Sequence, residues 1–185
     1  MRPLSEAADQ ELRWQGKEEF ELRAGAETYA ALHARERGVG WIIGEAAEGR
    51  WALRNEDLGS GEILLITEPD SRGRIAVVRH GRKRGLFTHS DDYIEFADSH
   101  IVTWRKANAW RDDEWDWVDR DRRPLIHFQR EYHVVIEPAA RSLQELSLLV
   151  VVGGQLIRLR EAAKKKAAVL AGVATATASH VVVNH

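Results

Sequence analysis

The chain has 185 residues, 44% of them hydrophobic and 30% charged, with a formal net charge of -2. This is material for one globular domain, long enough to bury a core without disulfides or metal staples. It contains no cysteine, which removes disulfides, thiolate metal sites and cysteine nucleophiles, and the near-neutral balance supplies no global field directed at nucleic acid or an anionic surface.

The opening stretch MRPLSEAADQELRW has no apolar signal-peptide region, so a cytoplasmic location is expected. Residues 1–10 are polar, which predicts a flexible N-terminus. From Glu11 to Pro138 short runs alternate apolar and polar residues and are broken by turn formers, the signature of strands. The runs are Glu19–Arg23, Tyr29–Arg35, Gly40–Glu45, Arg50–Arg54, Glu62–Glu68 and Arg74–His80. Leu86–His89, Tyr93–Ala97, Ile101–Lys106, a strand carrying Trp115 and Trp117, Leu125–Phe128 and Tyr132–Ile136 follow. In the Trp strand the two tryptophans share one face, which puts Glu114, Asp116 and Val118 on the other. About a dozen strands at this spacing predict a closed antiparallel sheet. Parallel pairing is disfavoured, because it needs crossover connections of a dozen or more residues.

After Pro138 the period changes. Ser142-Leu143-Gln144-Glu145 has the form of a capping box, and Arg158 and Arg160 lie where cations favour a helix dipole. Within the predicted helix 142–160, Leu146, Leu148, Leu149, Val150, Val151, Val152, Leu156 and Ile157 surround the whole circumference. A helix apolar on every side is buried or in a membrane. The uncharged run between Glu145 and Arg158 is twelve residues, roughly 18 Å of helix, where a bilayer needs about 20 apolar residues. Length therefore favours a buried core helix over a membrane anchor. Residues 161–185, with Lys164-Lys165-Lys166 and an alanine-rich sequence, are expected to extend the helix and then lose order in part. Lysines beside an apolar helix also suit a positive-inside anchor.

Strands followed by an all-round apolar helix resemble the tubby-like superfamily, in its LURP-one-related and phospholipid-scramblase-like branch. The residues that carry the resemblance are Trp115-Asp116-Trp117-Val118-Asp119, Leu125-Ile126, Val134-Val135-Ile136-Glu137-Pro138 and Leu146–Leu159, over roughly residues 11–160. In the turn after the Trp strand this chain has Asp121-Arg122-Arg123 where family members often carry a glycine. The resemblance implies a twelve-stranded barrel wrapped around a central hydrophobic C-terminal helix. It also implies a non-enzymatic binding or scaffold module in contact with anionic lipid, or else a membrane-inserted scramblase-like protein anchored by residues 142–160.

No motif names a reaction. The eight histidines (His33, His80, His89, His100, His127, His133, His180, His185) contain no HExxH pair, and a metal site is not expected. The acidic cluster from Asp112 to Asp121 lacks the central glycine and distant Glu of a calcium loop. There is no GxSxG elbow, GxGxxG fingerprint or P-loop, so neither an enzyme nor a cofactor is expected. One basic group stands out: Arg79, Arg82, Lys83 and Arg84, on a predicted hairpin tip, concentrate charge able to hold a phosphate of a lipid head group. The competing explanation is a solubilising turn, which suits a chain that is not basic overall.

Overall fold

The computed structural model describes residues 1–7, 10–16, 19–34, 41–57, 62–70, 73–80, 91–108 and 113–181, without the side chains of residues 34, 57, 62 and 172–181. The chain divides into two compact units, Met1–Gly153 and Gly154–His185.

The first unit is a closed antiparallel barrel of twelve strands, and each strand pairs with its neighbours in sequence until β1 meets β12. The strands are β1 (Leu12–Gln15), β2 (Phe20–Ala24), β3 (Glu27–Ala34), β4 (Trp41–Ala46), β5 (Gly49–Asp57) and β6 (Glu62–Thr67). They continue as β7 (Arg74–Arg79), β8 (Asp92–Phe96), β9 (Ile101–Lys106), β10 (Trp115–Val118), β11 (Pro124–Phe128) and β12 (His133–Ile136). One helix follows, α1 (Leu146–Val181). The predicted fold class is thus the observed one. The expected strand Leu86–His89 lies outside the described residues.

Alternation along each strand produces the bore. Buried apolar side chains meet across successive strands, as in Leu53 opposite Ile66, Leu64 opposite Val78, Ile94 opposite Val102 and Trp104 opposite Trp117. The belt continues through Ile126 and Ile136 and closes where Val134 meets Leu12. Cross-strand burial of this kind sets the register, because a slip of one residue would turn every such side chain to solvent.

The first two turns of α1 fill the bore. Leu146 and Leu148 are buried, and Leu149, Val150, Val151 and Val152 are 0% exposed. Three valines and two glycines are poor helix formers, together costing about 4 kcal/mol relative to alanine. Burying six aliphatic side chains contributes roughly 9–18 kcal/mol gross, so packing decides the conformation. Two close approaches fix the fit. A Cβ on Gly44 in β4 would stand 2.2 Å from Val151 Cγ1, and one on Gly153 would stand 2.2 Å from the Phe128 ring. The Trp117 indole N–H donates to the Leu149 carbonyl at 2.8 Å, so the wall also grips the helix backbone.

One boundary differs from the sequence expectation. The helix begins at Leu146, not Ser142. Residues from Pro138 to Leu146 wind through successive tight turns, with Arg141 N–H donating to Pro138 C=O, Leu143 N–H to Ala140 C=O and Leu146 N–H to Leu143 C=O. That path uses the backbone around Ser142 for turning, and Leu149 N–H donates to Glu145 C=O to start the helix. Near the N-terminus Leu4 is 1% and Ala7 2% exposed, in and beside a 3₁₀ turn over Leu4–Glu6. The Glu48 carboxylate accepts from the Leu4 N–H at 3.0 Å and from the Ser147 hydroxyl at 2.6 Å, tying the N-terminus and α1 to the β4–β5 turn. In the second unit, α1 continues as helix to Val181 through most of the expected tail.

Gly44→Ala should lower stability by about 1–3 kcal/mol by overpacking the bore. In urea unfolding, adding Val151→Ala should recover part of that loss, so the double variant is less destabilised than the sum of the singles. Strict additivity would mean the two residues do not share one packing site.

Candidate functional site

The sequence expectation placed an anion site on Arg79, Arg82, Lys83 and Arg84. Arg79 closes β7 on the outer wall, opposite Tyr93 and Ile63. Its Nε donates to Glu95 Oε2 on the neighbouring strand at 2.9 Å, so its charge is already matched locally. Arg82, Lys83 and Arg84 lie outside the described residues, in the segment that joins β7 to β8.

A polar cluster that the sequence did not single out occupies the outer wall of β10, β11 and β12. Asp116 and His127 are direct cross-strand partners, and His127 Nδ1 lies 2.7 Å from Asp116 Oδ1. Glu137 follows β12, where its N–H donates to the Leu125 carbonyl. That bond returns the Glu137 carboxylate to the same face, with Oε1 3.0 Å from His127 Nε2. Asp116 is only 3% exposed although it faces outward. Both faces of the Trp strand are therefore covered: Asp116 and Val118 are buried as Trp117 is, while Trp115 is half-exposed.

The hydrogen bond to Asp116 raises the His127 pKa above its ordinary 6.5, aided by the charges of Asp116 and Glu137 and opposed by burial. An imidazolium held this way donates from both nitrogens. In that form it bonds Asp116 on β10 and Glu137 beyond β12 at once, so the cluster clamps three strands. His133, on β12, has its Nδ1 3.1 Å from Glu11 Oε1. Among the described residues no group of three or more His, Cys, Asp or Glu could hold a metal ion.

The seam between β1 and β12 is short, with Leu12 opposite Val134 and Arg13 opposite His133. Beside it is a cavity of about 210 Å³ lined by residues that include Gln10, Glu11, Gln129, His133 and Val135. Pockets for drug-sized ligands run to about 300–1,000 Å³, so this notch is too small for one. The β11–β12 connection at its edge is a tight turn in which Glu131 (φ 56°) and Tyr132 (φ 69°) adopt left-handed backbone. Such a turn matches the strand twist but costs non-glycine residues strain. Arg13 offsets it by donating to the Glu131 carbonyl at 2.9 Å, and Tyr132 packs edge-on against Phe20 with centroids 5.6 Å apart.

The pH dependence of the clamp has a definite sign. A raised histidine pKa contributes stability that is fully present below the unfolded value near 6.5 and is lost as pH rises through the folded value. The stability gap between the wild type and His127→Gln should therefore be widest in mildly acidic buffer, above the carboxylate range, and should narrow towards alkaline pH. Urea midpoints over that series measure it; a gap that widens with pH would contradict the clamp.

The chain was compared with protein-family models, with curated proteins and with solved structures, and it matches none of them.

Proposed function

We propose that this chain is a non-enzymatic tubby-like barrel of the LURP-one-related kind, a binding or scaffold module in the cytoplasm that contacts anionic lipid head groups at a membrane surface. The observation that carries the proposal is the filled bore. A barrel that binds a ligand internally keeps its interior open, whereas here Leu149, Val150, Val151 and Val152 take that space. Binding then falls to the outer wall and the connections at the barrel ends. Arg82, Lys83 and Arg84 are adjacent like charges that cannot neutralise one another, and an anionic head group complements them. No nucleic-acid partner is proposed.

The reading in which residues 142–160 anchor the protein in a bilayer is less well supported. Leu146–Val152 could enter lipid only by leaving the bore, which would expose the belt that they cover. Among the described residues no helix is long and apolar enough to cross a membrane. The strands do not suit a bilayer either. They span four to nine residues, against about 9–11 for a membrane strand. Their outer faces carry ion pairs such as Arg50–Glu45 and Arg79–Glu95.

Co-sedimentation with phosphatidylcholine vesicles, with and without phosphatidylserine, tests the proposal. Binding should require phosphatidylserine, weaken with salt, and fall at least tenfold in R82Q/K83Q/R84Q, at about fivefold per charge near the surface. Arg79→Gln, already matched by Glu95, should change it much less. Equal binding to both vesicle types, or none to either, would remove the lipid reading.

A further inference from the structure

The second unit is a helix with an unusual surface. Residues 162–171 are all exposed, including Lys164, Lys165 and Lys166, and Val169 and Leu170 are 66% and 62% exposed. Lys165 precedes Val169, and Lys166 precedes Leu170, by one turn each, so each lysine shares a face with the apolar side chain that follows it. Lys164 also pairs with Glu161 at 3.2 Å.

Past the lysines no Asp, Glu, Lys or Arg occurs from Ala167 to Val183. The unit Gly154–His185 has five Lys and Arg (158, 160, 164, 165, 166) and one acidic residue (161), a net +4. The remaining residues then carry 22 basic and 28 acidic side chains, a net -6, which together give the -2 of the whole chain. The near-neutral total conceals a strongly one-signed C-terminal unit.

A helix draws most of its stability from packing an apolar face against something, and one apolar on all sides belongs in an apolar medium. Here the apolar side chains stand in the open behind a collar of lysines. We infer that the helix from Lys164 onward is a docking element for an anionic bilayer surface: the lysine collar lies at the phosphate level and Val169 and Leu170 enter the region beneath the head groups. This rests on the lipid reading above and assigns the contact to a second site. Charge decides the occupant. A parallel pair of such helices would bring two lysine triplets together, whereas an anionic surface attracts all three lysines. Among the described residues no helix is long and apolar enough to cross a membrane, and the contact inferred is one at the bilayer surface.

Because the chain has no cysteine, Leu170→Cys in the full chain gives a single site for an environment-sensitive fluorophore. All seven tryptophans lie in the barrel unit, at or before Trp117, so their emission reports independently that the barrel is intact. Vesicles with phosphatidylserine should shift the label to the blue while phosphatidylcholine alone should not. K165Q/K166Q should weaken the response about 25-fold, at about fivefold per lysine, with Lys164 discounted for its pair with Glu161, and R82Q/K83Q/R84Q should leave the label able to shift at saturating lipid. If the full chain co-sediments with anionic vesicles but the label stays silent and the lysine variant binds normally, this inference fails and the broader proposal stands. If no vesicle binding occurs, both fail. A lipid-independent shift that rises with protein concentration and accompanies a dimer mass would make a second copy the occupant and overturn the inference.

Discussion

A closed barrel of twelve strands has an interior too wide for side chains from its own wall to fill, since about eight strands is the size at which wall side chains suffice. The contact between that wall and the first two turns of α1 is therefore the constraint on which the rest of the fold depends. Strand number and helix are coupled: without the helix the belt from Leu53 to Trp117 would line a void, and without the belt the helix would expose every face. The two glycines at the contact show how tight the coupling is. Gly44 lets β4 approach Val151, and Gly153 lets the helix pass the Phe128 ring, both where a methyl group would already intrude. Trp117 adds direction to an otherwise non-specific apolar contact, because its indole can satisfy only a carbonyl at one height along the helix.

The same constraint explains the end of the barrel at which α1 begins. A helix threaded into a sheet needs its first residues held, and buried polar groups there must be satisfied. Glu48 does both by accepting from Ser147 and from the Leu4 N–H. It also supplies negative charge near the start of the helix, where the dipole favours it. Leu4 and Ala7 are buried as part of the same arrangement, which ties the N-terminus to the C-terminal element through the turn between β4 and β5.

Most of this architecture was legible in the sequence because both periods are strong. Alternation such as Phe20-Glu21-Leu22-Arg23 and the all-round apolar run from Leu146 leave few other conformations open. β1 was harder to see: Leu12 and Trp14 form only one repeat of the alternation, after a polar stretch. The helix start was displaced because Ser142 and Glu145 have capping-box spacing, a local pattern that the turns after Pro138 override. Asp116 shows the limit of face assignment. Its outward direction followed from alternation, but its burial depends on neighbouring strands and on His127 and Glu137, which come together only in the closed sheet. The basic run was legible as composition, yet the pairing of Arg79 with Glu95 required the register of β7 against β8.

That pairing bears on where function can reside. Along the wall of the barrel several charges are matched at short range: Arg79 by Glu95, Arg13 by Glu131, His133 by Glu11 and His127 by two carboxylates. Matched pairs contribute little field beyond about 8–10 Å of salt solution. Their cross-strand placement suits sheet cohesion. A partner attracted from a distance responds instead to like charges adjacent in sequence, which cannot cancel one another: Arg82-Lys83-Arg84 and Lys164-Lys165-Lys166. These pairs join neighbouring strands of the wall, and His127 joins three of them. The bore is occupied by α1, so the proposed lipid contact rests on the segments between strands and on the helix from Lys164 onward.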